Sequence, residues 1–440
     1  MSGSRPPVAV VGAGLAGLIA ARLLHQRGIP VVVYEAGRHV AGLARSFRDG
    51  DGFTHDFGAH FITNRLAAAL GIGRYCRDVR RYGEAVLLGG KAYSYPIGLL
   101  RTPRFLLGAL AGRAGRHRRE PPVSAAEWYR REYGTRLAEE VAIPLVESWS
   151  GAPATALAPS VIPPQVDRGT AHVLGLKLAS RVTGRAVANG YSREKPENPH
   201  VWHVYPEGSL GFVCDKLAGE LPGLIRLESP VQAILVEDGR VRSLRVAGED
   251  LEVSAVFSTA PVHVLAKLVQ GTQALSPLAR FRYRPLALVN MRFTGRGLLP
   301  DVVTWTPARD LPFFRVTEAP VSMPWLAPEG KTMLTVDIGC QVGDPVWSMG
   351  DEALGALCLD GLETVFPGIR RRYLGCSVLR TPVAHPVFLR EYEAQRLLLE
   401  GGLPVSGLHS IGRNGEFAHI LMEDVYWRTL RKVHHLAAAL

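Results

Sequence analysis

The stretch from Val8 to Glu35 constrains this chain more than any other. It reads V-A-V-V-G-A-G-L-A-G-L-I-A-A-R-L-L-H-Q-R-G-I-P-V-V-V-Y-E. Val8 to Val11 is a short apolar run suited to a strand buried on both faces. Gly12, Gly14 and Gly17 then form G-x-G-x-x-G: the first permits a tight turn, the second admits a pyrophosphate to the backbone, and the third lets a helix lie close to the strand. Leu15 to Arg27 is expected to be that helix, with the N–H groups of its first turn, at Leu15 and Ala16, aimed at phosphate and Gly28 as its cap. Val31 to Val33 is the second strand. Glu35, followed by Ala36, stands just past it, where a carboxylate accepts hydrogen bonds from an adenosine ribose. A glycine triplet alone is a weak signal, but strand, helix and acid at this spacing together read as a dinucleotide-binding βαβ unit.

The rest of the chain narrows what the unit serves. With 440 residues there is room for two domains, or for one domain interrupted by another. Apolar residues at 47% and charged residues at 21% exclude a disordered chain. The net charge of +11, carried mostly by arginine, points to nucleic acid, an anionic membrane surface or an anionic small molecule. No basic run with interleaved aromatics supports nucleic acid, which leaves anionic small molecules as the expectation. Ile97 to Ala111 is apolar, yet Arg101 and Arg104 interrupt it and it is too short to span a bilayer. Because Arg113, Arg116, Arg118 and Arg119 follow, weak surface association stands as a second expectation beside a plain solvated face. The cysteines, Cys76, Cys214, Cys340, Cys358 and Cys376, form no C-x-x-C pair, and no signal-peptide pattern precedes the first strand. Reduced thiols in a cytoplasm are therefore expected, with no disulfide framework and no zinc site.

Directly after Glu35 comes G-R-H-V-A-G-L-A-R-S-F, Gly37 to Phe47. Gly42, with Leu43 and Ala44, allows close backbone approach, and Arg45 and Ser46 suit pyrophosphate and ribityl oxygens. A nicotinamide cofactor needs no such second element; the longer FAD does. At this point the sequence resembles the flavoprotein group that includes amine oxidases, protoporphyrinogen oxidases and UDP-galactopyranose mutases, with Ala41-Gly42 where two glycines are usual. The resemblance continues. H-D-F-G-A-H-F-I, His55 to Ile62, resembles the element beneath the flavin ring, which implies roles for Gly58 and His60. Lys91 to Ile97 is similar to a G-K-x-Y-x-Y-P hairpin, Ala125 to Ala158 to a helical segment, and Tyr205 to Gly211 to the turn that returns the chain to the flavin domain. Alternation from Ile225 onward, with a turn at Asp238-Gly239, marks a β-hairpin; the resemblance implies that backbone at Val231 meets the adenine. The last segment, Gly407 to Val425, is expected to return to the flavin as a strand, then Gly412, then a helix whose N-terminal end faces the ring. Arg413, Glu423 and Asp424 join the expected cofactor-binding residues there. No second fingerprint is visible, so FAD is the one nucleotide cofactor expected.

The implied fold class is α/β: a discontinuous, Rossmann-like FAD-binding domain (1–90, 200–265 and 396–440) and an inserted substrate domain of antiparallel sheet plus helices (91–199 and 266–395). For catalysis, His60, Arg315 and Arg413 stand out. His60 by family position lies near the flavin ring, where a neutral imidazole orients substrate or exchanges a proton; the competing reading is a buried histidine satisfied by backbone. Arg315 and Arg413 resemble arginines that hold a nucleotide-sugar diphosphate in the mutase branch, a task that suits a forked, permanently charged guanidinium. Structural ion pairs, Arg315 with Glu318 and Arg413 with Glu416, compete with that reading. Arg168 and Arg181 rank lower. Where the mutase branch has tyrosines on the diphosphate, this chain has His385 and His419. Lys331 reads as a turn residue before a strand, and no metal-ligand cluster is visible. These residues imply an FAD-dependent oxidoreductase passing hydride from a small polar or anionic metabolite to the flavin. The alternative is a redox-neutral mutase acting on a nucleotide sugar.

Overall fold

The run Val8–Val11 is the middle strand of a five-stranded parallel sheet ordered Ile225–Arg226, Val31–Tyr34, Val8–Val11, Ala255–Ser258, Leu408–Ser410. A computed structural model provides this architecture and describes residues 5–58, 61–95, 97–114, 120–162 and 170–437. Both faces of the middle strand are covered, as its unbroken apolar character requires. Val8 and Val10 pack into the core with Leu18 and Ile19 of the first helix. Ala9 and Val11 pack into the core that holds Ile234, Leu244 and Leu265. The first helix runs Leu15–His25, two residues shorter than expected. Gly28 still supplies the left-handed turn, at φ +72°, and Ile29 N–H closes the end on Leu24 O.

The hairpin forms as Val231–Glu237 and Arg240–Val246. Asp238 and Gly239 both take positive φ, 49° and 71°, as a two-residue type I′ turn demands.

A seven-stranded sheet has the order Tyr373–Pro386, Tyr283–Thr294, Lys331–Gly339, Arg315–Thr317, Val303–Trp305, Glu84–Leu88, Lys91–Ser94. Every pair in it is antiparallel except Val303–Trp305 with Glu84–Leu88. Glu84–Leu88, at the carboxyl-terminal end of the segment 1–90, is a strand of this sheet. Its two faces differ in kind. Val289, Val316 and Val336 share one face and pack with Leu354, Cys358 and Leu362 of the helix Asp351–Val365. Trp305, Arg315 and Asp337 are direct cross-strand neighbours on the other face.

The apolar stretch Ile97 to Ala111 is divided between helices Ile97–Leu100 and Pro103–Ala114, and Arg104 pairs with Glu140 at 3.1 Å. Arg116, Arg118 and Arg119 lie outside the described residues. No described helix is long and apolar enough to cross a membrane. The carboxyl-terminal segment departs from expectation. After Gly412 there is only the single turn Gly412–Gly415; Phe417, at φ +48°, breaks it, and the long helix begins at Met422.

Candidate active site

The glycine-rich turn has the geometry of a dinucleotide cradle. Gly12 sits at φ +98°, and a Cβ there would lie 2.1 Å from Thr259 Oγ1. A Cβ on Gly17 would lie 1.9 Å from Gly12 O, so this glycine is what lets the helix touch the turn. Gly14 caps the helix without a side-chain acceptor, leaving the first-turn N–H groups, those of Leu15 and Ala16 among them, for an anion. Glu35 accepts from Ala13 N–H and Gly37 N–H, both at 2.8 Å. A carboxylate has about four acceptor positions, so two remain for ribose hydroxyls. Ala36 follows it in the loop beyond the strand. Gly42, at φ +51°, begins the turn Gly42–Ala44, which includes Leu43, and its ideal Cβ would be 3.6 Å from the Gly14 Cα. Arg45 lies over Phe47, 4.9 Å from the ring centroid, and pairs with no carboxylate among the described residues. Ser229 N–H donates to Glu35 O at 2.8 Å, which brings the chain entering Val231 past the end of the second strand. These residues fit an adenine dinucleotide whose pyrophosphate meets the first helix.

The expected flavin-facing elements are tied together by a buried carboxylate. Asp56 accepts from Ser46 Oγ and from Tyr205 OH (2.9 Å), while those oxygens accept from Gly211 N–H (2.9 Å) and Leu210 N–H (3.1 Å). Burial pushes the Asp56 carboxyl up to about 7 against the hydrogen bonds from Ser46 and Tyr205. Gly58, two residues on, takes φ +91°, and its ideal Cβ would be 3.5 Å from an Arg315 Nη. His60 and Arg168 lie outside the described residues, and Arg181 is exposed. Gly412, at φ +78°, presses on Ala16, where a Cβ would come within 2.7 Å of the alanine's.

The side chains of Glu423 and Asp424 are taken up by other parts of the protein. Glu423, fully buried, accepts from Arg65 Nε (2.5 Å), Thr63 Oγ1 (2.7 Å) and Trp427 Nε1 (3.1 Å). Asp424 accepts from Ser192 Oγ (2.5 Å), Arg193 N–H (2.8 Å) and Glu194 N–H (3.3 Å). Both carboxylates join distant segments of the protein, so what these residues can offer a cofactor is backbone, not charge.

Neither ion pair suggested by sequence proximity forms. Glu318 accepts from the N–H groups of Gly297, Leu298 and Leu299, and Glu416 pairs with Arg428 at 2.6 Å and Lys432 at 3.4 Å. Arg315 pairs with Asp337, its cross-strand neighbour; Nε donates at 2.8 Å and Asp337 is fully buried. Burial holds the Asp337 carboxyl above its ordinary range despite Arg315. Arg413 has no carboxylate partner among the described residues. Its Nη2 donates to His385 Nδ1 at 2.6 Å and its Nε is buried without a partner. Desolvation, with Arg315 nearby, lowers Arg413 to about 10, which leaves it charged at neutral pH.

The two histidines do come together at this point. Trp149 lies edge-on to His385 and His419, both at 5.4 Å between centroids, and the imidazoles are 5.8 Å apart. Burial first, then Arg413, pushes His385 far below its ordinary value and His419 to about 3. Both are neutral at pH 7. Because His385 Nδ1 accepts from a guanidinium, its proton sits on Nε2, which remains a donor.

Sequence reading missed Arg284, which stands opposite His385 in the sheet with its own Nε buried and unpartnered. It also missed Asp337, signalled only by the period-two pattern in T-V-D-I-G. Lys331 opens the strand Lys331–Gly339. Six residues at about 3.4 Å each put it roughly 20 Å along that strand from Asp337, away from Arg315.

Comparison with known proteins bears on this geometry. Residues 96–424 match the family described as flavin containing amine oxidoreductase, and residues 10–70 match the NAD(P)-binding Rossmann-like domain. The chain belongs to the flavin amine oxidoreductase family. Its cofactor, as a member of that family, is FAD. Amine oxidase [flavin-containing] B of Cavia porcellus is 38% identical over 100 residues, 21% of this chain and 18% of that protein; the match spans less than a fifth of the relative's length. Reduced UDP-galactopyranose mutase shares the fold at TM-score 0.79 and 18% identity, covering 99% of this chain and 96% of the other. A protein from Exiguobacterium sp. 255-15, provisionally named protoporphyrinogen oxidase, does so at 0.76 and 19%, covering both chains in full. At these identities the structural likeness speaks for the fold alone.

Proposed function

We propose that this flavin amine oxidoreductase family member oxidises a small anionic metabolite held between the FAD-binding unit, 1–90, 200–265 and 396–440, and the substrate unit, 91–199 and 266–395. The observation that carries the reading is Arg413, a charged guanidinium with no acidic partner among the described residues, next to Arg315 and two neutral imidazoles. Uncompensated charge at a partly buried site is costly unless a ligand neutralises it. FAD, when bound, accepts the hydride that leaves a substrate C–H bond. The protein's part is binding and orientation. Arg413 forks onto the anion, Asp337 fixes the guanidinium of Arg315, and His385 Nε2–H adds a neutral donor. With His419 held near 3, the imidazole is too weakly basic to take a proton at neutral pH. That leaves His60 as the proposed proton-exchanging group. Cofactor contacts are assigned to Gly12, Gly14, Leu15, Ala16, Gly17, Glu35, Ala36, Gly42, Leu43, Ala44, Arg45, Gly58, Val231 and Gly412.

The test is anaerobic titration of the yellow holoenzyme with anionic candidates, read as loss of flavin absorbance. Arg413→Ala should weaken binding of a bleaching substrate about 30-fold, the loss of one charge-assisted contact of roughly 2 kcal/mol, with FAD retained. Loss of FAD from that variant would place Arg413 on the cofactor and overturn the reading. A second reading, a redox-neutral nucleotide-sugar mutase, is favoured by the approach of Arg315 and Arg413 to the same imidazoles. It requires that UDP perturb the flavin spectrum and that dithionite switch activity on; a spectrum indifferent to UDP removes it.

A further inference from the structure

The anion site has an aromatic border that neither the glycine-rich cradle nor the histidine pair explains. Trp305 is the direct cross-strand neighbour of Arg315, whose guanidinium carbon lies 5.3 Å from the Trp305 ring centroid. Tyr82 comes from a different segment, just before the strand Glu84–Leu88, and lies within electrostatic reach of Arg315. One carboxylate holds both rings. Glu84 Oε1 accepts from Tyr82 OH at 2.7 Å and Glu84 Oε2 accepts from Trp305 Nε1 at 2.9 Å. The rings are not sealed in a core: Tyr82 is 37% exposed and Trp305 is partly exposed. On the other side Tyr82 meets Phe61 at 5.1 Å, edge-on, and Phe61 belongs to the H-D-F-G-A-H-F-I element with Gly58, which itself neighbours Arg315. A ligand whose anionic group reached Arg315 would therefore have its adjoining part beside two fixed aromatic faces.

We infer that Tyr82 and Trp305, held by Glu84 beside Arg315, form a clamp for a planar aromatic group, so that the substrate of this site is an aromatic anion. The inference rests on the anionic reading of the site proposed above and names the substrate class within it. Fixed rings select flat partners because offset or edge-on ring contacts add attraction beyond area burial. A saturated ring of equal charge gains the burial without that geometry. Glu84 is the positioning residue: with both its oxygens occupied, each ring has one orientation and loses little rotational freedom on binding.

The experiment is a spectral titration of oxidised holoenzyme with three probes: benzoate, cyclohexanecarboxylate and benzyl alcohol. Benzoate should perturb the flavin spectrum with a Kd about tenfold below that of cyclohexanecarboxylate, and benzyl alcohol should bind more weakly than benzoate. Glu84→Gln, which cannot accept from both rings, and Trp305→Leu should each bring the benzoate to cyclohexanecarboxylate ratio close to one. Both variants should reach that ratio by losing more affinity for benzoate than for cyclohexanecarboxylate; retained FAD and an unchanged melting temperature report an intact fold. Equal affinity for the two acids in wild type overturns the clamp while the anionic reading stands. Benzyl alcohol binding as tightly as benzoate, both ahead of the saturated acid, supports the clamp and overturns the anionic reading. A ratio unchanged in Glu84→Gln overturns the positioning role, and binding of none of the probes overturns both proposals.

Discussion

Substituting Gly17 by alanine separates steric from conformational roles of the glycines. Gly17 does not occupy the left-handed region, so an alanine is free to adopt its backbone; what opposes it is Gly12 O at 1.9 Å, Gly12 C at 3.1 Å and Val10 Cγ1 at 3.2 Å. Ordinary contact needs about 3.5 Å, so the helix must retreat from the turn by roughly 1.5 Å. That carries the N–H groups of Leu15 and Ala16 out of hydrogen-bonding range of a pyrophosphate seated on the turn. Losing even one of these charge-assisted bonds, at about 1.5–3 kcal/mol, predicts an FAD complex weaker by roughly 10- to 150-fold. Gly28→Ala is the control. It sits at φ +72° with nothing within 4 Å of its ideal Cβ, so the variant should lose about 1 kcal/mol of stability and no affinity. Titration of apoprotein with FAD, read by flavin fluorescence, measures both. A Gly17→Ala protein that binds FAD within threefold of wild type refutes the reasoning, as does a Gly28→Ala protein that loses FAD to the same extent.

Two further outcomes follow from buried carboxylates. Glu423→Gln should destabilise the holoprotein by about 2–4 kcal/mol, since it leaves Arg65 without its buried partner, and should leave FAD affinity unchanged; thermal melting and FAD titration check the two halves, and lost affinity without lost stability would restore a cofactor role. Asp56, raised to about 7 by burial, favours its protonated form on folding, so its contribution to stability is full below the unfolded value near pH 4 and is lost as pH rises to about 7. The upper limit is about three pH units, roughly 4 kcal/mol. Asp56→Asn should therefore flatten the melting temperature between pH 4.5 and 7.5, and a slope equal to wild type would contradict the assignment.

The parts of this protein legible in its sequence are those fixed by local sterics. The βαβ unit is readable because Gly17 answers to Gly12 O, five residues away, and the hairpin because its alternation and its Asp238-Gly239 turn are local signals. Partners chosen by proximity failed for the same reason. Glu318 lies three residues from Arg315 but caps the turn at 297–299, whereas Asp337, the true partner, is brought alongside by strand register. Glu423 and Asp424, expected among the cofactor-binding residues, have their side chains claimed by Thr63, Arg65 and Ser192, hundreds of residues earlier.

The most informative feature of the candidate site is one that only register exposes. Asp337, Thr335, Thr317 and Asn290 share the face of the seven-stranded sheet that bears Trp305 and Arg315. Asp337 Oδ1, Thr317 Oγ1 and Asn290 Nδ2 are buried there without hydrogen-bond partners. The opposite face of the same strands is wholly apolar where it meets the helix Asp351–Val365. A sheet needing only stability would bury valines on both sides, because each unsatisfied polar group costs about 1–3 kcal/mol. That this chain instead carries a file of polar side chains near Arg413, which has no carboxylate partner among the described residues, argues that the face is completed by something bound to it. The charge of the guanidiniums and the aromatic flank at Tyr82 and Trp305 indicate what that is.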